Sequence, residues 1–339
     1  MNVKPLETVA KENPQLLFFK EKGCLVVPSL LSKAFVSELL HKIKVQLDQC
    51  AKDLSCSYED YLQVASRWVD PSPVTTGLEQ FILKPLKIFL EPLMEDACDL
   101  VKLNVISKTL SASAPVPFHQ DISYSPQAPY QFSAWLALTD VPLKSGPLEV
   151  IIGSHRGVIE PAVDFWVPAY KDSNTLKKGI KQKLPAKAGD LILFDSCLWH
   201  GSPRNESTDE RFALVTRWKT KGYEAPLIPS LHPKPFGMWT CQRKTEDILA
   251  KSLKLFFEKR ISNYLDLLDQ WEKILSTISL PFLENTQKAQ EDLRRVRLLH
   301  LAHQKHNGGD AQGILYAKLW YSLLRPLSFY LRGKTRRSI

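Results

Sequence analysis

The chain has 339 residues, 44% of them apolar, and a formal net charge of +9. That length can bury a sizeable core in one large domain or two smaller ones, and the composition excludes a disordered chain. It has no uncharged apolar run of about 18 residues that would span a membrane, and its six cysteines include no C-x-x-C pair. With no apolar signal core at the N-terminus, reduced thiols in a cytoplasmic protein are expected. The positive charge is concentrated at one end. Residues 290–339 hold ten Lys/Arg against three acids, so +7 of the total lies there. The basic balance describes the C-terminus, and no nucleic-acid partner is expected from it.

In chain order, Gln15–Lys22 reads as a short helix closed by Gly23, and Cys24-Leu-Val-Val-Pro as a short strand. Ser32 can cap the next helix, in which Phe35, Leu39, Leu40, Ile43 and Leu47 recur at helical spacing. A second helix is expected over Leu78–Val101, bent or interrupted at Pro85 and Pro92. From residue 102 the pattern becomes strand-like, at Lys102–Ile106, Phe132–Leu138, Leu148–Ile152, Asp190–Phe194 and Arg211–Trp218. Turn signals separate these runs, and several strands without an intervening helix suggest a β-sandwich or jelly roll. The 35 residues between His155 and Leu191 read as a long lid or binding loop. After Pro235 the chain turns helical again, at Thr245–Lys259, Asn263–Ser276, Thr286–His303 and Gly313–Leu324.

Within the strand region stands Pro115-Val-Pro-Phe-His-Gln-Asp, followed 81 residues after His119 by His200 in Trp199-His-Gly-Ser. Two imidazoles and one carboxylate form a facial triad suited to non-haem Fe(II), leaving three positions for other ligands. If both lie on a strand, His119 and Asp121 share a face while Gln120 points away. Arg211 follows His200 by eleven residues and opens Arg211-Phe-Ala-Leu-Val-Thr-Arg. Alternation puts Arg211, Ala213, Val215 and Arg217 on one face, and the small apolar companions make it an interior one. A buried Arg needs an anionic partner, such as the far carboxylate of a co-substrate. The combination reads as an oxygenase using iron and 2-oxoglutarate.

Residues 15–220 resemble the phytanoyl-CoA dioxygenase-like family of iron- and 2-oxoglutarate-dependent oxygenases. The resemblance is carried by Phe18-Phe-Lys-Glu-Lys-Gly-Cys-Leu-Val-Val-Pro, His119-Gln-Asp, Trp135-Leu-Ala-Leu-Thr-Asp and Ser145-Gly-Pro-Leu-Glu-Val-Ile-Ile-Gly-Ser-His-Arg. Ala188-Gly-Asp-Leu-Ile-Leu-Phe-Asp, His200-Gly-Ser, Asn205 and Arg211 complete it. The fold implied is α+β: a double-stranded β-helix (jelly roll, cupin-like) core with N-terminal flanking helices, here with a C-terminal helical extension. The expected division is an oxygenase domain at 1–235 and an extension of unknown role at 236–339. The resemblance implies Fe(II) held by His119, Asp121 and His200, with O2 and 2-oxoglutarate as co-substrates and Arg211 on the far carboxylate of 2-oxoglutarate. The carboxylate of Asp121 argues against the chloride-binding variants of this fold.

Around these residues, Trp135 either lines the co-substrate pocket or packs in the core. Ser202 and Asn205 orient the ligand loop or the co-substrate, or cap a turn, and His155 stabilises a turn. Arg217 reaches a substrate anion or makes a structural ion pair. His300, His303 and His306 have no acid or cysteine beside them and are expected on a surface. The loop aromatics Phe165, Trp166 and Tyr170 with Lys171, Lys177, Lys178, Lys181 and Lys183 would suit an anionic or carrier-linked small molecule. A rival reading is a non-catalytic binding module. Its basic C-terminal helix, with Leu315, Leu319, Leu323 and Trp320 on one side, would touch a membrane surface or a protein partner; packing on the core is the simpler role for that helix.

Overall fold

The computed structural model describes residues 13–59, 61–62, 73–109, 115–124, 129–159, 174–226, 297–298 and 301. Helix α1 (Pro14–Lys22) starts where Asn13 accepts from the Gln15 amide and ends at Gly23, whose φ of 76° is left-handed. Strand β1 (Cys24–Val27) leads to α2 (Lys33–Asp53), capped by Ser32 as expected. Val36, Leu39, Ile43, Leu47 and Cys50 form its buried stripe. Helix α3 (Pro73–Met94) runs through both Pro85 and Pro92 without interruption. Leu78, Ile82, Leu86 and Leu90 are all buried along it, so packing holds a helix that proline alone would break. It ends earlier than expected: Cys98–Val101 belong to a strand, after a turn in which Glu95 has a φ of 54°.

The remaining elements are β2 (Cys98–Lys108), β3 (Val116–His119), β4 (Phe132–Ala137), β5 (Leu148–Ile151), a short helix α4 (Asn174–Lys178), β6 (Lys181–Leu184), β7 (Leu191–Asp195), β8 (His200–Ser202) and β9 (Arg211–Thr220). The expected strands are present with shifted ends; β3 carries His119 as supposed but stops before Asp121, whereas β6, β8 and α4 were not foreseen. Part of the expected 35-residue loop is therefore regular structure, with Lys181 and Lys183 on β6 and Lys177 and Lys178 on α4. Phe165, Trp166, Tyr170 and Lys171 lie outside the described residues.

Two antiparallel sheets result, one ordered β1-β7-β4-β9-β2 and the other β3-β8-β5-β6. Alternation along the larger sheet divides its side chains between two cores. Leu25, Leu103, Val105, Ala134, Leu136, Leu191, Leu193, Phe212, Leu214 and Trp218 pack with the helices. Trp135, Ala137, Ile192, Phe194, Ala213 and Val215 pack with Leu148, Val150 and Leu184 of the smaller sheet. The larger sheet is thus a middle layer whose central strands are covered on both faces, which is why β4 and β7 read as continuous apolar runs. Leu298, in the expected C-terminal extension, is buried in the helical core. The other helices expected after residue 235 lie outside the described residues, as do His300, His303 and His306.

Candidate metal centre

The ends of β3 and β8 meet in a narrow pair: His119 lies directly opposite His200 in the antiparallel register. Asp121 reaches them from another element. Strand β3 stops at His119, and Asp121 opens a single 3-10 turn, Asp121–Tyr124. The two side chains converge through a turn, not through the shared strand face expected from their spacing. The turn is anchored on the approach to His200. The Ile122 amide donates to Ser196 O, at 3.0 Å, and the Gln120 side chain to Cys197 O, at 2.7 Å. Gln120 is fully buried. Trp199 is fixed in turn by its amide bond to Ser154 Oγ (3.0 Å) and by Ile151, whose amide donates to its carbonyl. Between the two histidine strands, Gly201 leaves no room for a side chain: a Cβ would lie 2.8 Å from Val116 O.

The ligand atoms of His119, Asp121 and His200 all lie within 4.8 Å of one another. Each imidazole is held by the carbonyl two residues before it, His119 Nδ1 on Pro117 O and His200 Nδ1 on Leu198 O, both at 2.8 Å. A carbonyl can only accept, so both Nδ1 atoms carry the proton and both Nε2 lone pairs face inward. They meet on Asp121 Oδ1, 3.3 Å from His119 Nε2 and 3.6 Å from His200 Nε2. Burial and the adjacent His119 push the His200 imidazole below its ordinary pKa, which favours its neutral form. Burial would raise the Asp121 carboxyl, but His200, His119 and Arg217 overcome this and hold it well below the usual carboxylate range. Neutral imidazole and ionised carboxylate are the states that a divalent cation needs. The donor set therefore fits a three-residue mononuclear site.

The outer oxygen of the carboxylate faces the larger sheet. Ser133 Oγ donates to Asp121 Oδ2 at 3.1 Å, and Arg217 Nε lies 4.0 Å from the same oxygen. Arg217 also donates to Tyr130 Oη, at 2.8 Å, and to Asn104 Oδ1. Of the two outcomes open to Arg217, an ion pair is present. The face expected for β9 is interior, as predicted: Arg211 is 2% exposed and Ala213 and Val215 are buried between the sheets. Arg211 Nη1 donates to Gly146 O at 2.6 Å, and its guanidinium lies 5.6 Å from the Trp135 ring centre. Gly146 has a φ of 69° and is packed against the Pro203 carbonyl, so the acceptor sits where a side chain is excluded. Trp135 faces the inter-sheet core.

Ser202 is buried on β8, and its carbonyl accepts from the fully buried Lys108, at 3.2 Å. Asn205 pins the following turn through Lys108 O and Asp209 O. His155 stands in a 3-10 turn and engages Lys20 O at 3.0 Å, a structural tie between β5 and α1. Ser133, Tyr130, Asn104 and Lys108 were not singled out from sequence. Ser133 left a faint signal, a hydroxyl inside the apolar run Phe132–Leu138. The others come together only through strand pairing.

Two imidazoles and a carboxylate converging at the edge of a helix-backed pair of antiparallel sheets define a candidate mononuclear, non-haem metal protein. The family model for phytanoyl-CoA dioxygenase (PhyH) matches residues 19–213, and the chain belongs to that family. It is 25% identical to peroxisomal phytanoyl-CoA dioxygenase of Bos taurus over 225 residues, or 59% of this chain and 66% of that protein. For the Homo sapiens protein of the same name the identity is 24% over 226 residues, again 59% and 66%. The match thus spans just under two thirds of either relative. In fold the chain is similar to the non-heme alpha ketoglutarate dependent carbocyclase SnoK from nogalamycin biosynthesis. The TM-score is 0.50 at 18% identity, covering 67% of this chain and 89% of that one.

Proposed function

We propose that this protein is an Fe(II)- and 2-oxoglutarate-dependent dioxygenase that hydroxylates a C–H bond of a small molecule and releases succinate and CO2. The observation that carries the reading is the convergence of two tautomer-fixed imidazoles and one ionised carboxylate within 4.8 Å. His119, Asp121 and His200 would hold the ion, three residues of a six-position shell. The chemistry that a bound Fe(II) supplies is the coupling of 2-oxoglutarate decarboxylation to oxidation of a substrate bond by O2. Arg211 would hold the distal carboxylate of 2-oxoglutarate, its buried guanidinium already oriented by Gly146 O and the Trp135 ring. The surrounding inter-sheet core keeps water from that pair, which strengthens it. Ser202, two residues beyond His200 on β8, is the hydroxyl proposed to assist at the co-substrate. The substrate class we favour is an anionic or carrier-linked small molecule, in keeping with the basic residues between His155 and Leu191. The test is consumption of 2-oxoglutarate by anaerobically iron-loaded protein after admission of O2. Succinate formation that requires iron and disappears in His200→Ala is expected; no succinate from a protein shown to hold iron and 2-oxoglutarate would sink the reading.

A further inference from the structure

The carboxylate of Asp121 has two oxygens with different surroundings. Oδ1 faces both imidazole Nε2 atoms, at 3.3 and 3.6 Å. Oδ2 faces a clamp built by the opposite sheet, with Ser133 Oγ at 3.1 Å and Arg217 Nε at 4.0 Å. Ser133 and Arg217 are directly paired across β4 and β9, so one register position delivers both groups to one oxygen. Arg217 is itself held by Tyr130 Oη and Asn104 Oδ1, and the Tyr130 ring lies 5.4 Å from its guanidinium carbon.

We infer that Ser133 and Arg217 are positioning residues for the outer oxygen of Asp121, Ser133 by its hydrogen bond and Arg217 by its charge, so that the carboxylate offers a metal ion Oδ1 alone. The inference rests on the proposed iron and 2-oxoglutarate reading. Carboxylates bind divalent ions through one oxygen or through both. With one oxygen, the three residues leave three of six positions open, enough for a chelating 2-oxoacid and one further ligand. With both, only two remain, and a bound 2-oxoacid fills them. The two histidines come from the smaller sheet and the clamp from the larger one, so the packing of the two sheets sets how many positions stay open.

The test uses the full chain loaded anaerobically with Co(II), whose visible absorption intensity reports coordination number. Spectra are recorded before and during titration with 2-oxoglutarate. The variants are Arg217→Met, Arg217→Lys and Ser133→Ala; the last removes one oxygen, adds no volume, and carries the test should the Arg217 variants unfold. Arg217→Met and Ser133→Ala should change the Co(II) spectrum before any co-substrate is added. They should weaken 2-oxoglutarate binding by about 10- to 100-fold, the usual range for groups that orient a metal ligand. Arg217→Lys should recover part of both effects, because it keeps a cation beside Oδ2. Unchanged spectra and affinities in folded Arg217→Met and Ser133→Ala would overturn the inference. So would weakened 2-oxoglutarate binding with an unchanged metal spectrum, since Arg217 would then act on the ligand directly. A wild-type protein that binds no Co(II) or no 2-oxoglutarate fails earlier, and removes the functional reading along with the clamp.

Discussion

Replacing Arg211 by Ala separates the proposed co-substrate anchor from the proposed metal ligands. Arg211 is 2% exposed, so its guanidinium has lost most of its water before any ligand arrives. Removing one member of a desolvated, hydrogen-bonded charge pair costs about 2–5 kcal/mol. At roughly 1.4 kcal/mol per tenfold, 2-oxoglutarate should bind some 30-fold to several thousand-fold more weakly. The Gly146 carbonyl also loses its donor, 2.6 Å away, and an unsatisfied buried acceptor costs about 1–3 kcal/mol of stability. Thermal unfolding therefore has to accompany the binding measurement. The assay is calorimetric titration of 2-oxoglutarate into anaerobic Mn(II)-loaded protein, with Mn(II) affinity measured separately. Mn(II) affinity should be nearly unchanged in Arg211→Ala, because Arg211 donates to Gly146 O and lies over the Trp135 ring and supplies no metal-ligating atom. Arg211→Lys should fall between, since an ammonium keeps the charge without the planar fork. If folded Arg211→Ala binds 2-oxoglutarate as tightly as wild type, the anchor lies elsewhere and Arg217 becomes the candidate.

Four further outcomes are expected. His119→Ala, Asp121→Ala and His200→Ala should each weaken Mn(II) binding strongly while far-ultraviolet dichroism stays near wild type; a variant that retains full affinity is not a ligand. Gly201→Ala would place a Cβ 2.8 Å from Val116 O and 3.1 Å from the Phe118 ring, prising β3 from β8, so metal affinity should fall and not recover at lower temperature; unchanged affinity would mean the strands yield freely. Burial pushes the thiols of Cys24 and Cys98 up to about 11, and burial with the nearby Asp195 pushes Cys197 to about 12, so all three should resist iodoacetamide at pH 8 until denaturant is added; mass spectrometry locates any early adduct. Leu298 is 7% exposed in the helical core, so Leu298→Ala should destabilise by about 2–5 kcal/mol, and a chain ending after Arg243 should unfold at lower temperature. A truncated chain of unchanged stability that no longer sediments with anionic vesicles would favour the membrane role instead.

The three metal-ligand candidates were legible because side-chain chemistry and spacing are local properties of the chain. The interior face of β9 was legible for the same reason: two arginines at even spacing among Ala213 and Val215 fit a buried strand and little else. What escaped was the path between His119 and Asp121. Strand pairing with β8 ends at His119, and the following turn is fixed by Ser196 and Cys197, some 75 residues away along the chain, as no local pattern could indicate. The end of α3 was misplaced because Leu100 and Val101 continue its apolar composition; the break comes from the Glu95 turn, and pairing with β9 then takes over. Strands β6 and β8 are short, and β6 is mostly Lys and Gln, so neither stands out from a loop. The clamp around Asp121 needs three neighbouring strands in register, which a single sequence does not display.

Strand β9 also protects the chemistry against error. Its even positions, Phe212, Leu214 and Trp218, are fully buried against the helices, and each such side chain is worth about 1.5–3 kcal/mol. A slip of one residue would turn those three toward the smaller sheet and drive Arg211 and Arg217 into an apolar layer. Both guanidiniums are therefore held in phase by residues that never touch a ligand. They stand about 20 Å apart along the strand, six positions at roughly 3.3 Å each. A folded molecule cannot keep one of them and misplace the other, so a mis-registered chain would be lost as an unfolded protein before it could persist as a folded one with a faulty site.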